Sequence, residues 1–270
     1  MARNTVKRAF LAVLVMLVAA ACASVPITGR RQLSLVPQSQ MLSMSQSEYG
    51  KFLSENKLST NQADTRMVKD VGARIQGAVN RYFTERNMQG ELSGYKWEFN
   101  LVQSKDVNAW CMPGGKVVVY EGLMPVAKDE TGLAVVMGHE IAHAIARHGN
   151  ERMSQQLLAQ MGGLALETAI AEKPNETKAL YMTAFGLGAQ VGVLLPYSRL
   201  QESEADRLGL IFMAMAGYDP RQAVAFWERM AQGKKGGSMP EFLSTHPADQ
   251  TRINNLKKLI PEALQYYQKQ

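Results

Sequence analysis

The sequence predicts an α+β domain in which helices dominate, and three stretches carry that prediction. Tyr49, Phe52 and Leu53, followed by Val68, Val71, Ile75, Val79 and Phe83, recur at the spacing of helices with one buried face. Trp97 to Val102 alternates with period two and Lys116 to Tyr120 is rich in Val, as strands are. Almost everything after Asp129 carries helical periodicity up to Gln270. The 270 residues, 46% hydrophobic and 20% charged, suffice for one sizeable core.

At the N-terminus, Arg3, Lys7 and Arg8 precede an apolar run from Ala9 to Ala21. A membrane span needs about 20 apolar residues, so this shorter run with basic flanks reads as a secretory signal peptide over residues 1–21. The junction Ala19-Ala20-Ala21-Cys22 resembles the lipobox of bacterial lipoproteins, which predicts a membrane lipid anchor on Cys22. Ala23 rather than Asp after the cysteine points to the outer membrane. The expected location is the bacterial cell envelope, as a periplasm-facing lipoprotein. Lipidation leaves Cys111 as the sole thiol, so the core must stand without an intrachain disulfide. The formal net charge of +6 falls to +3 once Arg3, Lys7 and Arg8 are removed, and no basic stripe is interleaved with aromatics; nucleic-acid binding is excluded on that ground.

Residues 22–45, with Pro26, Gly29 and Pro37 among many Ser and Gln, read as a flexible tether, and residues 46–270 as one catalytic domain. In "NAWCMPGGKVVVY" the turn signal Pro113-Gly114-Gly115 makes Asn108 to Tyr120 a hairpin. Its edge strand is expected to hold an extended substrate by main-chain pairing, the alternative being a merely structural hairpin. Asp129 can cap a helix running through Gly138 to about His148, and Asp219-Pro220 opens the helix of Ala223, Phe226, Trp227 and Met230. Gly233 to Ser238 reads as a loop. The glycine-punctuated apolar run Ala184 to Leu195 reads as core, with a mobile helix near a cleft as the alternative. Trp97, Trp110 and Trp227 read as core residues.

The chemistry is concentrated in "GHEIAHAIARHG", Gly138 to Gly149, which holds three of the four histidines. With about 100° per helical residue, His139 and His143 stand on one face and can bite one ion, while Glu140 lies one step round, where it can hold a water on that ion. Gly138, Ile141, Ala142, Ala144 and Ile145 mark the helix as buried, where unpaired polar groups would be costly. His148, nine residues after His139, faces the opposite way and reads as a helix C-terminal residue set against the dipole. Zinc needs a third protein ligand and, for catalysis, an open position. In "YSRLQESEADRLGL", Tyr197 to Leu210, Glu202 and Asp206 share a helix face; they serve either as a ligand and an orienting carboxylate or as an exposed acidic surface.

Together "HEIAHAIARHG", "SRLQESEAD", "NAWCMPGGKVVVYEGL" and "STHPADQTRI" resemble metallopeptidase family forty-eight, the gluzincins that include HtpX, the CaaX prenyl protease and the BepA-like assembly proteases, in its short periplasmic lipoprotein form. The resemblance runs in order from Gln46 to Leu259. It implies a helix-dominated zincin domain with a small β-sheet beside the active-site helix and one Zn²⁺ per chain. By the same resemblance His139, His143 and Glu202 are the zinc ligands, Glu140 is the general base and Asp206 an orienting or proton-donating residue. His246 matches a His-Pro motif near the family's zinc cleft; the residues alone allow a second role, capping a helix that starts at Pro247. Arg199 and Arg252 either pair with site carboxylates or lie on solvated faces.

The expected function is that of a zinc metalloendopeptidase acting on misfolded or stalled cell-envelope proteins, with a zinc-bound water activated by Glu140 as nucleophile. Unfolded or misassembled proteins are the expected partners. Two other readings stay open: a chaperone-like binder of unfolded chains that seldom cuts, and a lipoprotein whose zinc is purely structural, which a fourth protein ligand would support.

Overall fold

The computed structural model describes residues 22–171, 178, 182–183, 195–232 and 241–267. The expected signal segment 1–21, the run 184–194 and the loop 233–238 lie outside them. The described elements are β1 (Cys22–Ser24), β2 (Arg31–Leu33), α1 (Gln38–Glu55), α2 (Gln62–Thr84), β3 (Glu98–Val102), β4 (Ala109–Met112), β5 (Lys116–Tyr120), α3 (Met124–Ala127), α4 (Glu130–Ile145), α5 (His148–Ala169), α6 (Leu195–Met215), α7 (Gln222–Gln232), α8 (Glu241–Thr245) and α9 (Gln250–Leu264). The α+β, helix-dominated expectation holds. No helix among the described residues is long and apolar enough to cross a membrane.

The chain divides into two units, Met1–Gln38 with Arg147–Pro196, and Ser39–Ala146 with Tyr197–Gln270. In the first, β1 and β2 pair antiparallel, Cys22 opposite Leu33, around a turn in which Gly29 takes a positive φ of 68°. The segment after the turn is fastened to α5. The Arg30 guanidinium donates to both oxygens of Glu151 at 2.8 and 2.7 Å, Leu35 N donates to Ser154 Oγ at 2.9 Å, and Asn150 Nδ2 donates to the Val36 carbonyl at 2.7 Å. Residues 22–45 were expected as a flexible tether; instead they carry a strand pair, these fastenings and the start of α1. The reason is Glu151, whose side chain is fully buried and draws a counterion from a distant stretch of chain. The described residues of the segment 147–196 likewise belong to the unit of the N-terminal segment, not to that of the rest of the single domain expected from residue 46 onward.

In the second unit Asn61 caps α2, its Oδ1 accepting from Ala63 N and Asp64 N at 3.1 Å each. One face of α2, with Val68, Val71, Ile75, Val79 and Phe83, is fully buried, each side chain contributing about 1.5–3 kcal/mol. The sheet has the order β3-β5-β4, with β3 parallel and β4 antiparallel to β5. The expected hairpin is present, and Gly115, at φ 83°, is obligatory there because a Cβ would lie 2.5 Å from the Trp97 ring. Trp110 and Met112 on β4 pack with Phe52 against Tyr49 and Val118, while β4 also lies against α4.

Asp129 caps α4 as expected, accepting from Gly132 N at 2.8 Å. The helix stops earlier than the periodicity suggests: after Ala146, Arg147 adopts φ 60°, ψ 30°, and His148 opens α5. His148 is therefore a buried N-terminal residue of the next helix, not the C-terminal residue expected, because a left-handed residue ends the α4 ladder before it.

Candidate metal centre

Every residue of α4 from Gly132 to Ile145 is buried, so its polar side chains must find partners inside the fold. His139 and His143 find them on α6. The two helices touch main chain to main chain: a Cβ on Gly138 would lie 2.9 Å from Gly209 O, and one on Gly209 would lie 2.9 Å from His139 N. Any larger residue at either glycine would drive the helices apart next to His139 and one turn from Asp206. Arg74 from α2 secures the far end of α6, its Nε donating to Ala216 O at 3.2 Å.

Around this crossing four side chains converge. His139 Nε2 and His143 Nε2 are 3.1 Å apart; Glu202 Oε2 is 3.3 Å from the former and its Oε1 3.2 Å from the latter. His246 Nδ1 lies 3.1 Å from His139 Nε2 and 2.9 Å from Glu202 Oε2. One donor atom from each of the four residues falls within 4.8 Å of all the others. A tetrahedral zinc with bonds of about 2.0–2.1 Å sets neighbouring donors about 3.3 Å apart, so the observed separations fit that ion. The donor set, imidazole nitrogens and a carboxylate, suits it as well.

Asp206 stands behind the ligand face. Its Oδ1 is 3.0 Å from His139 Nδ1, which assigns the Nδ1 proton to that contact and turns the Nε2 lone pair toward the cluster. Burial pushes the Glu202 carboxyl up, but hydrogen bonds from His139, His143 and His246 outweigh it and hold the group well below the ordinary carboxylate range. Burial and then Arg252 push His139 down; hydrogen bonds to Asp206 and Glu202 overcome both and raise it to about 9.

Glu140, also buried, places Oε1 3.5 Å from His246 Nε2. Burial first and the Glu140 charge second push the Cys111 thiol of β4 up, and β4 packs against α4. The expected capping role of His246 is not found: α9 begins at Gln250 and its cap is Asp249, accepting from Arg252 N at 2.8 Å. The His246 ring instead stacks on Phe242, centroids 4.5 Å apart, and faces the cluster.

Of the two arginines, Arg199 is exposed on α6, whereas Arg252 is buried and forks onto Asp206 at 2.6 and 2.9 Å. Trp227, expected only as core, is 1% exposed and lies under both groups: the Arg252 guanidinium sits 3.4 Å from its ring centroid, and the His139 ring 5.9 Å away edge-on. A signal for Arg252 was present in its helix, where Ile253 and Leu256 mark a buried face that the arginine shares.

A family profile described as "Peptidase family M48" matches residues 71–260 of the chain. Among curated proteins, the Mitochondrial metalloendopeptidase OMA1 of Schizosaccharomyces pombe is 34% identical over 88% of this chain and 66% of its own length. The Metalloendopeptidase OMA1, mitochondrial, of Homo sapiens is 33% identical over 88% of this chain and 46% of its own. The Beta-barrel assembly-enhancing protease of Escherichia coli is 29% identical over 63% of this chain and 36% of its own. The chain thus spans about a third to two thirds of the length of these relatives. The comparison corrects the expected location. Relatives at 33–38% identity carry mitochondrial names, which overturns the reading of a bacterial envelope lipoprotein facing the periplasm. A basic N-terminal stretch free of acidic residues, as here before Glu48, does not by itself fix the compartment, since mitochondrial presequences share that composition. Lipid attachment at Cys22 loses its premise with that compartment.

Proposed function

The chain belongs to peptidase family M48, whose members are zinc-dependent metallopeptidases, and from that premise we propose that it is an endopeptidase hydrolysing peptide bonds of misfolded or misassembled proteins. The observation that carries the reading is the meeting of His139, His143 and Glu202, from two separate helices, at separations that suit one zinc ion. These three hold the ion, and Asp206 fixes the His139 ring. When bound, the ion supplies Lewis acidity toward a water and a peptide carbonyl.

Glu140 is the general base: it accepts the proton of the attacking water and returns it to the leaving amine. His246, across from it, steadies the charge that develops on the carbonyl oxygen. The substrate lies extended along β4, which among the described residues has one strand neighbour. Tyr120 N donates to Asn108 O at 3.1 Å, so the alternation of the antiparallel ladder directs the main-chain groups of Trp110 toward β5 and those of Cys111 outward. An unfolded chain can add there by β-augmentation, which accepts many sequences because it reads main chain.

A second reading has one observation in its favour. His246 adds a fourth donor to the cluster, and four protein ligands are the mark of a structural zinc. Glu140 separates the two, since a structural site has no use for a buried carboxylate beside it. Purified protein is assayed on a quenched, unfolded polypeptide with and without chelator, while bound zinc is counted. Glu140→Gln is expected to lower cleavage about 10²–10⁴-fold with one zinc retained. Absence of cleavage by the zinc-loaded wild type would defeat the peptidase reading in favour of a structural or chaperone-like role.

A further inference from the structure

We propose that Arg252, laid on the indole face of Trp227, is a positioning residue of the metal centre, holding Asp206 against His139 and the His246 turn against Glu202. The inference rests on the metallopeptidase reading above and deepens it.

One planar cation reaches four residues on three separate pieces of the fold. Arg252 Nε donates to Asp206 Oδ2 at 2.9 Å and Nη2 to Asp206 Oδ1 at 2.6 Å, a fork on a carboxylate that fixes the acid in plane and in rotation. Nη1 donates to the Pro247 carbonyl at 3.3 Å, one residue beyond His246, and lies 3.3 Å from Glu202 Oε2. The underside of the guanidinium is occupied by Trp227 on α7, which stops it from tilting out of the carboxylate plane. Asp206 Oδ1 also meets His139 Nδ1 at 3.0 Å, so a rotation of Asp206 becomes a rotation of a ligand ring.

The charge balance points the same way. Glu202 and Asp206 bring two carboxylates into a site where Asp206 is 4% and Arg252 8% exposed. A buried carboxylate without a counterion is strongly unfavourable, and the guanidinium supplies that counterion without occupying a ligand position. Lysine could carry the charge but not the fork, the stack and the Pro247 contact at once. Trp227 is thus the platform of the arrangement as well as a core side chain.

A purely structural arginine and a positioning one differ in what their loss changes. Loss of the first lowers the melting temperature alone; loss of the second loosens zinc and lowers kcat at nearly constant KM. The test uses the full chain: the zinc dissociation constant by competition with a chromophoric chelator, kcat and KM on the quenched unfolded polypeptide, and the melting temperature of the chelated protein. Arg252→Gln is expected to weaken zinc binding about 10–100-fold with a parallel loss in kcat. Arg252→Lys, which keeps the charge and loses the fork, is expected to recover only part of the loss. A zinc dissociation constant and kcat at wild-type level in Arg252→Gln overturn the inference. If that variant does not fold, Trp227→Phe takes its place, with a several-fold weakening of zinc expected and wild-type affinity overturning the proposal. A wild type that binds no zinc defeats the metallopeptidase reading itself and takes this inference with it.

Discussion

The two helices on either side of Arg147 are built on opposite plans. α4 is apolar all round, with Leu133, Val136, Met137 and Ile141 fully buried, and its only strongly polar groups in the buried stretch are His139, Glu140 and His143. α5 buries Asn150, Glu151, Ser154 and Gln155 while Leu157, Met161 and Leu164, one face at intervals of four and three, stay 38%, 57% and 64% exposed. The first helix is held by close packing and opens polarity only at the ligand cluster. The second is held by directed polar contacts to residues 30–36. The comparison teaches where each can be broken: α4 through volume, α5 through charge.

The largest expected effect on folding follows from the charge side of that contrast. Arg30→Ala strips the fork from a fully buried Glu151 and is expected to cost the unit containing α5 about 3–5 kcal/mol. Zinc affinity, set by residues of the other unit, is expected to stay at wild-type level. Calorimetry with a zinc titration on the same sample reads both, and a joint loss of melting temperature and affinity contradicts the contrast. The volume side gives the next effect. Gly209→Ala places a methyl 2.9 Å from His139 N and is expected to cost about 1–3 kcal/mol, with weaker zinc binding. Gly77→Ala on α2, where a Cβ meets nothing within 4 Å, is the control and is expected to raise stability by about 0.5–1 kcal/mol while leaving zinc binding unchanged.

The smallest effect is a pH profile of the chelated protein. Burial pushes Asp206 up, but Arg252 and His139 outweigh it and hold the acid below its ordinary 3.8. A depressed folded value contributes stability that is present above the unfolded one, about 3.9, and lost as pH falls through the folded one. His139 has the opposite sign: raised to about 9, it contributes fully below its ordinary 6.5, and the contribution is lost as pH rises through about 9. Chelated protein is therefore expected to melt highest between these limits, and thermal melts from pH 3 to 10 check it. A flat profile would show that the cluster titrates without coupling to folding.

How much of this was legible in the sequence depends on whether the signal was local. The His-Glu-x-x-His spacing lies within one helix, the Pro113-Gly114-Gly115 turn lies within one hairpin, and the Asp129 cap sits three residues from its partner; all three are found as read. For Glu202 and Asp206 the spacing left open a site role and an exposed face, and only the family resemblance chose the former, because the Gly138–Gly209 contact that brings that face to the histidines joins residues far apart in the chain. The choice left open for Arg252, a site carboxylate or a solvated face, and the role of Trp227 beyond the core were not legible for the same reason: the arginine joins Asp206 to that tryptophan only once the chain is folded. The strand pair at 22–33 and the break at Arg147 escaped because each runs against local preference, one polar and rich in turn residues, the other a β-carbon residue in left-handed backbone.

The glycine-to-glycine crossing also bears on which cations the protein can accept. Because two spines rest on each other beside the four-residue cluster, the separation of the two helices that carry it is set by main-chain contact. Calcium, with bonds of about 2.3–2.6 Å and six to eight oxygen donors, needs a wider and softer cradle than this. On the proposed metal reading, the spacing of the helices that carry the donors rests on two missing methyl groups, at Gly138 and Gly209.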